Sequence, residues 1–377
     1  MNIRYFDNSA TTKIKDEVLD AMLPYLTSQY GNASSIYSLG RESKRAIEKA
    51  RKQVASLINC APEEIYFTSC GSESDNTALK GIAYKYRNKG NHIITSKIEH
   101  PAILNTCKNL ESKGYEITYL NVDKNGIIDM NQLLNSIKPT TILISIMTAN
   151  NEIGTIEPIK QISEIAHKNN IIFHTDSVQA IGNIKIDVQR QGIDMLSLSG
   201  HKIYAPKGIG VLYVKKGIDF ERFIDGGHQE KNKRAGTENV AEIVGLGKAC
   251  ELAERNLEYH QQKIKSLRDY CVQQIETKIP NIHINGGTQN RLPGNINISF
   301  EQMESEELLY RLDEVGICAS GGSACSSGET APSHVLTAIG VPAQLAKKAV
   351  RFSFGDFNTK NDVDYLVSNL ERILLSK

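Results

Sequence analysis

Six short stretches of the chain hold residue types better suited to chemistry than to packing. In "GGSACSSG" (321–328), Cys325 sits among glycines and serines that offer a thiol almost nothing to pack against. The stretch reads as a loop, and an ionised thiol on a loop is a nucleophile; the octapeptide alone fits an ordinary surface cysteine equally well. In "CGSESDN" (70–76), Gly71 and Ser72 open a helical pattern, where free N–H groups and a hydroxyl can cradle a phosphate or Ser72 can simply cap the helix. In "KIEHPA" (97–102), His100 precedes a proline, a setting in which a single histidine is more often structural than catalytic. "TANNEIGTIEP" (148–158) sets Asn151 and Glu152 before a glycine turn. "DSVQ" (176–179) offers Asp176, a helix cap or a partner for a cationic ligand atom, with Gln179 three residues on. "SGHKIYAPKGIG" (199–210) places Lys202 directly after Ser199 and His201, where it is a surface lysine or an amine able to condense with an aldehyde.

These stretches follow strands. Short β-rich runs are read at 64–69, 92–96, 116–121, 141–147, 171–175, 194–199 and 209–214, several of them continuously apolar as strands covered on both faces should be. Amphipathic helical patterns lie between them: Ala46, Ile47, Ala50, Val54, Leu57 and Ile58 form one apolar stripe, and 72–88, 101–113 and 158–169 repeat the habit. Such alternation predicts a mostly parallel sheet between helices. The last two strands have no helix between them, so one of the pair is expected to run antiparallel. Beyond 215 a glycine- and charge-rich stretch leads into a long helical run to about 278. Strands at 295–300 and 349–355 and helices near 304–314, 333–348 and 359–375 then predict a smaller α+β unit. The expected division is a large domain over 15–255 and a small one formed by 1–14 and 256–377.

Composition narrows the function. The 377 residues carry a formal net charge of +1 with 40% hydrophobic and 23% charged side chains, which gives no reason to expect nucleic acid or an anionic membrane as partner. No apolar run approaches the ~20 residues that span a bilayer, and the N-terminus lacks the pattern of a signal peptide. Seven scattered cysteines with no CxxC pair argue for reduced thiols, against a disulfide framework and against a metal site. A cytoplasmic protein is the expectation.

Ligands of open α/β sheets bind beyond the carboxyl ends of the strands. Taken singly, each polar group there has a bland explanation; five neighbouring strand ends suited to one ligand are a poor match to chance. The ligand must have a phosphate, an aromatic cation that wants a carboxylate and an aldehyde that wants a lysine. Pyridoxal 5'-phosphate has all three.

Read end to end, the chain resembles the NifS/IscS-type cysteine desulfurases, in the class V branch of fold-type I pyridoxal-phosphate enzymes. The resemblance rests on "YFDNSATT", "YGNASSIYSLGR", "SESDN", "EHPA", "NNEIGTIEP", "HTDSVQ", "SGHKIYAPKGIG", "KRAGTEN", "SGGSACSSG" and "RFSFG", all in family order. It implies that Lys202 bonds the cofactor aldehyde, Asp176 pairs with the pyridine nitrogen, Gln179 bonds the phenolic oxygen and His100 stacks on the ring and moves protons. Gly71, Ser72, Ser199 and His201 would hold the phosphate, with Thr237 reaching in from the second subunit of a homodimer. Arg351, with Asn151 beside the cofactor, would bind the substrate carboxylate, and Cys325 would take sulfur from L-cysteine as a persulfide, leaving L-alanine. An acceptor protein, an iron–sulfur scaffold or a tRNA-thiolation enzyme, would then receive the sulfur. The chain departs from the family pattern at Ala33, Tyr37, Cys70, Ser72 and Gly321. Selenocysteine cleavage shares the same chemistry; an aminotransferase would need no loop thiol, and a silent scaffold would need none of these groups.

Overall fold

The computed structural model describes residues 3–321 and 332–375. Its strands are β1 (Arg4–Tyr5), β2 (Ile65–Thr68), β3 (His92–Ser96), β4 (Glu116–Leu120), β5 (Thr141–Ser145), β6 (Ile172–Asp176), β7 (Met195–Ser199), β8 (Gly210–Val214), β9 (Ile282–Ile284), β10 (Asn295–Phe300), β11 (Ile317–Cys318) and β12 (Ala349–Ser353). Seven of them form one sheet in the order β2-β8-β7-β6-β5-β3-β4. All seven lie within a residue or two of the runs read from sequence. β8 is the antiparallel member, paired so with both β7 and β2. Two reversals bring β2 back into line with β7, so the carboxyl ends of β2, β3, β5, β6 and β7 share one edge of the sheet.

Helices cover both faces because the strands alternate apolar residues to each side. On one face, Leu79, Ile82 and Ala83 of helix Gly71–Lys85 and Ile103 and Leu110 of helix Pro101–Glu111 pack against Ile93, Leu143, Met195 and Leu212. On the other, Ile47, Ala50 and Val54 of helix Ser38–Ile58 and Leu246 of helix Val240–Lys278 meet Phe67, Ile144, Phe173 and Leu198. Along β6 and β7 the first face turns polar towards the carboxyl end, where His174, Asp176, Ser197 and Ser199 follow Met195.

A second core gathers around the antiparallel sheet β12-β10-β9. Ile296, Ile298, Val350 and Phe352 pack there against helix Lys360–Leu375 and against Ile264, Cys271 and Ile275 of the same long helix that serves the first core. The N-terminal segment joins it: β1 runs parallel to β11, and Phe6 is buried in this core. The helix expected across 333–348 is instead two short pieces, His334–Ala338 and Ala343–Ala346. Gly340, at φ +83°, and Pro342, which caps the second piece, break it. Among the described residues no helix is long and apolar enough to cross a membrane, and no group of His, Cys, Asp and Glu is placed to hold a metal ion.

Candidate active site

The shared strand edge positions most of the residues singled out above. A short 3₁₀ turn, Gly200–Lys202, leaves the end of β7. The segment Asn8–Thr12 lies across it, with Thr12 N–H donating to His201 O at 2.9 Å and the Thr11 hydroxyl 3.1 Å from His201 Nδ1. Lys202 Nζ donates to the carbonyls of Ser9 and Ala10. Gln179 Nε2 donates to the same Ser9 carbonyl at 3.0 Å, so Lys202 and Gln179 meet at one acceptor.

Asp176 ends β6 with its carboxylate buried and its Oδ1 accepting the Val178 N–H at 2.9 Å. Burial raises its pKa to about 6, against the pull of that N–H and of the nearby Lys202 cation. At neutral pH it is therefore an anion in a dry site, able to hold a protonated ring nitrogen. His100 caps helix Pro101–Glu111: its Nδ1 accepts the Ala102 N–H at 3.1 Å, which leaves the ring proton on Nε2. Burial, then the Lys202 and His334 charges, hold its pKa down to about 4. The structural and the chemical readings of this histidine are thus compatible, and Nε2 is the atom available for proton exchange.

Gly71 begins the helix that follows β2, against Ser199 and Val178. A Cβ there would come to 2.8 Å from Val178 Cγ2 and 3.5 Å from the Ser199 Cβ, so the missing side chain keeps the helix N-terminus open beside β7. Ser72 is exposed at that N-terminus and Ser199 is buried beside it. A buried carboxylate, a lysine amine and an open helix N-terminus with a hydroxyl match the donor and acceptor groups of pyridoxal phosphate, and the residues present fit that group.

Arg351 on β12 comes from the second core and is 1% exposed. Its Nη1 donates to Asn151 O at 3.0 Å, its Nη2 pairs with Asp7 Oδ1 at 2.8 Å, and its buried Nε has no partner among the described residues. Asp7 was not singled out from sequence, since one carboxylate near the N-terminus has no local pattern to mark it. Buried Asp75, Glu99 and His174 also escaped notice; only His174 carried a signal, a polar residue inside the apolar run "IIFHT". Thr237 stands apart from the Lys202 group in its own chain, exposed on the loop before the long helix and facing Thr68, Ser69 and Arg234. Cys325 lies outside the described residues.

Comparison with known proteins places this arrangement. The profile of the family described as Aminotransferase class-V matches residues 4–366. A protein named cysteine desulfurase IscS from Methanosarcina thermophila is 53% identical over 98% of this chain and 91% of its own length. One of the same name from Dictyoglomus turgidum is 50% identical over 98% of this chain and 94% of its own. Among solved structures, a NifS-like protein superposes with a TM-score of 0.94 at 37% identity, covering 99% of both chains. SspA in complex with cysteine superposes at 0.83 with 37% identity, over 94% of this chain and 100% of that one. With the family profile spanning nearly the whole sequence and full-length relatives at half identity, the chain belongs to the class V aminotransferase family, in its NifS/IscS-type cysteine desulfurase branch.

Proposed function

We propose that the protein is a pyridoxal-phosphate-dependent cysteine desulfurase that takes the sulfur of L-cysteine onto Cys325 and releases L-alanine. The observation that carries the reading is the meeting of Lys202 and Gln179 at the Ser9 carbonyl, with the buried Asp176 carboxylate at the end of the neighbouring strand. When bound, the cofactor supplies an electron sink that makes the substrate's Cα–H acidic and its C–S bond breakable. The remaining work belongs to side chains. Lys202 would hold the cofactor through its aldehyde, and its amine is the base that would take the substrate's Cα proton. Asp176 holds the ring nitrogen protonated, Gln179 bonds the phenolic oxygen, and Gly71, Ser72, Ser199 and His201 hold the phosphate. His100 stacks on the ring, with Nε2 as the atom through which it exchanges a proton. Arg351 binds the substrate carboxylate, with Asn151 alongside. Because Asp7 and the Asn151 carbonyl already hold two of its nitrogens, the substrate must share or displace those bonds.

The Cys325 thiolate attacks the substrate sulfur. A sulfur–sulfur bond forms, the carbon–sulfur bond breaks with its electron pair left on carbon, and a proton at Cβ together with the one Lys202 returns to Cα completes alanine. Cys325 is left as a persulfide for an acceptor protein, an iron–sulfur scaffold or a tRNA-thiolation enzyme in the cytoplasm. The active unit is a homodimer. Exposed Leu19, Leu23, Leu26, Tyr30, Ile36 and Tyr37 near the N-terminus support this, being apolar surface that a second copy would cover. Thr237, exposed in its own chain, would then serve the partner's phosphate. The reading takes the large domain as 15–255, with 1–14 and 256–377 forming the small one. Purified protein given L-cysteine and a reductant should yield alanine and sulfide, and the Cys325→Ser variant should yield neither while still holding cofactor. Wild-type rates from that variant would overturn the proposal.

A further inference from the structure

Beneath Asp176 lies a second buried carboxyl that none of the roles above uses. Asp75, one turn into helix Gly71–Lys85, is 1% exposed and points at the face of β6 and β7 that carries His174 and Ser197. Its Oδ1 is sealed from solvent without a hydrogen bond to any of the described residues, 3.8 Å from His174 Nε2. Ser197, the cross-strand neighbour of Asp176, hydrogen-bonds the Asp75 carboxyl. The same Ser197 hydroxyl is 3.0 Å from His174 Nε2, and His174 Nδ1 is 2.9 Å from Ser145 Oγ. The titratable groups around Asp75 are Asp176 and His174 on β6, Glu99 after β3 and Cys70 before its own helix. None of these brings a positive charge at neutral pH, since burial holds the His174 pKa down to about 3.

Two carboxyls in one dry space do not both ionise. Asp176 has a backbone N–H and lies within the field of Lys202. Asp75 has one hydroxyl and an oxygen with no partner, a condition a carbonyl tolerates far better than an anion does. A neutral Asp75 can donate to Ser197, and Ser197 in turn to His174 Nε2, whose other nitrogen faces Ser145. We propose that Asp75 is a positioning residue that stays protonated, so that the single negative charge of the pair is held on Asp176 and aimed away from the sheet. The inference rests on the reading that Asp176 faces the pyridine nitrogen.

Infrared difference spectra of the full chain, wild type minus Asp75→Asn, test the protonation with and without pyridoxal phosphate. At neutral pH a deuterium-sensitive stretch of a protonated carboxyl should vanish in the variant, and its absence from the wild type would overturn the proposal. Should the variant not fold, NMR of aspartate-labelled wild type asks the same question: one carboxyl carbon should keep its protonated shift from about pH 5 to 8. Positioning is read from the pH profile of the bound cofactor's absorbance, which Asp75→Asn should preserve and Asp75→Leu should displace. A Leu variant that melts earlier but leaves the profile unmoved would reduce Asp75 to packing and overturn the role. The cofactor-free spectra report on Asp75 alone. Asp176→Asn tests the underlying reading separately, since it must shift the bound cofactor's absorbance if Asp176 faces the ring.

Discussion

Arg351 shows how much a single side chain commits at this site. Its guanidinium is buried, holds Asp7 and the Asn151 carbonyl through different nitrogens, and keeps its Nε in reserve. A lysine at this place would keep the charge but lose the planar fork, so it could not serve Asp7 and a substrate carboxylate together. Arg351→Lys should raise KM for cysteine by about tenfold or more, the loss of one or two charge-assisted hydrogen bonds of ~1.5–3 kcal/mol. The absorbance of bound cofactor should not change, and steady-state kinetics beside a spectrum check both. Residue identity was the legible part of this site: Lys202, Asp176, Gln179 and His100 stood out together, as polar groups at or just past neighbouring strand ends that suit one ligand. Their partners did not stand out. Asp7 lies 344 residues from Arg351 and Ser9 lies 193 from Lys202, and a backbone carbonyl leaves no mark in a sequence at all.

At the scale of elements, the open helix start depends on how closely β8 approaches the turn before it. A Cβ on Gly210 would lie 2.6 Å from the Cys70 carbonyl carbon, a backbone atom that cannot swing aside. Gly210→Ala should therefore push β8 from the Cys70–Gly71 turn, costing ~1–3 kcal/mol of stability as overpacking does. It should also weaken cofactor retention, and melting curves with and without added pyridoxal phosphate measure the two effects. The seven strands of the large sheet could be read from sequence because strands buried on both faces are runs of apolar residues. The antiparallel β8 could be read because a connection too short for a helix permits only a reversal. The short strands β1, β9 and β11 could not, since two or three residues carry no period. The break at Gly340–Pro342 was written in the sequence but lost within an apolar pattern that continues across it.

At the scale of the molecule, the two cores meet in a polar joint. Asp356, just after β12, pairs with His260 of the long helix and with Lys15. Burial alone would raise the Asp356 pKa, but the bonds and charges of His260 and Lys15 outweigh it and hold the carboxyl well below its usual range. A carboxyl depressed in the folded state adds stability above its unfolded pKa of about 4, and that stability is lost as pH falls towards the folded value. Asp356→Asn should lower the melting temperature by a few degrees at pH 7, and the gap to wild type should close progressively below about pH 4. Thermal melts across that range decide it. The long helix that carries His260 has a mechanical consequence. Its 39 residues make a rod of about 58 Å, with Leu246 and Ala249 set in one core and Ile264 and Cys271 in the other. One continuous helix set in both cores ties them together mechanically, so a break introduced between Ala249 and Ile264 should loosen the Arg351 side of the site from the strand edge that carries Lys202.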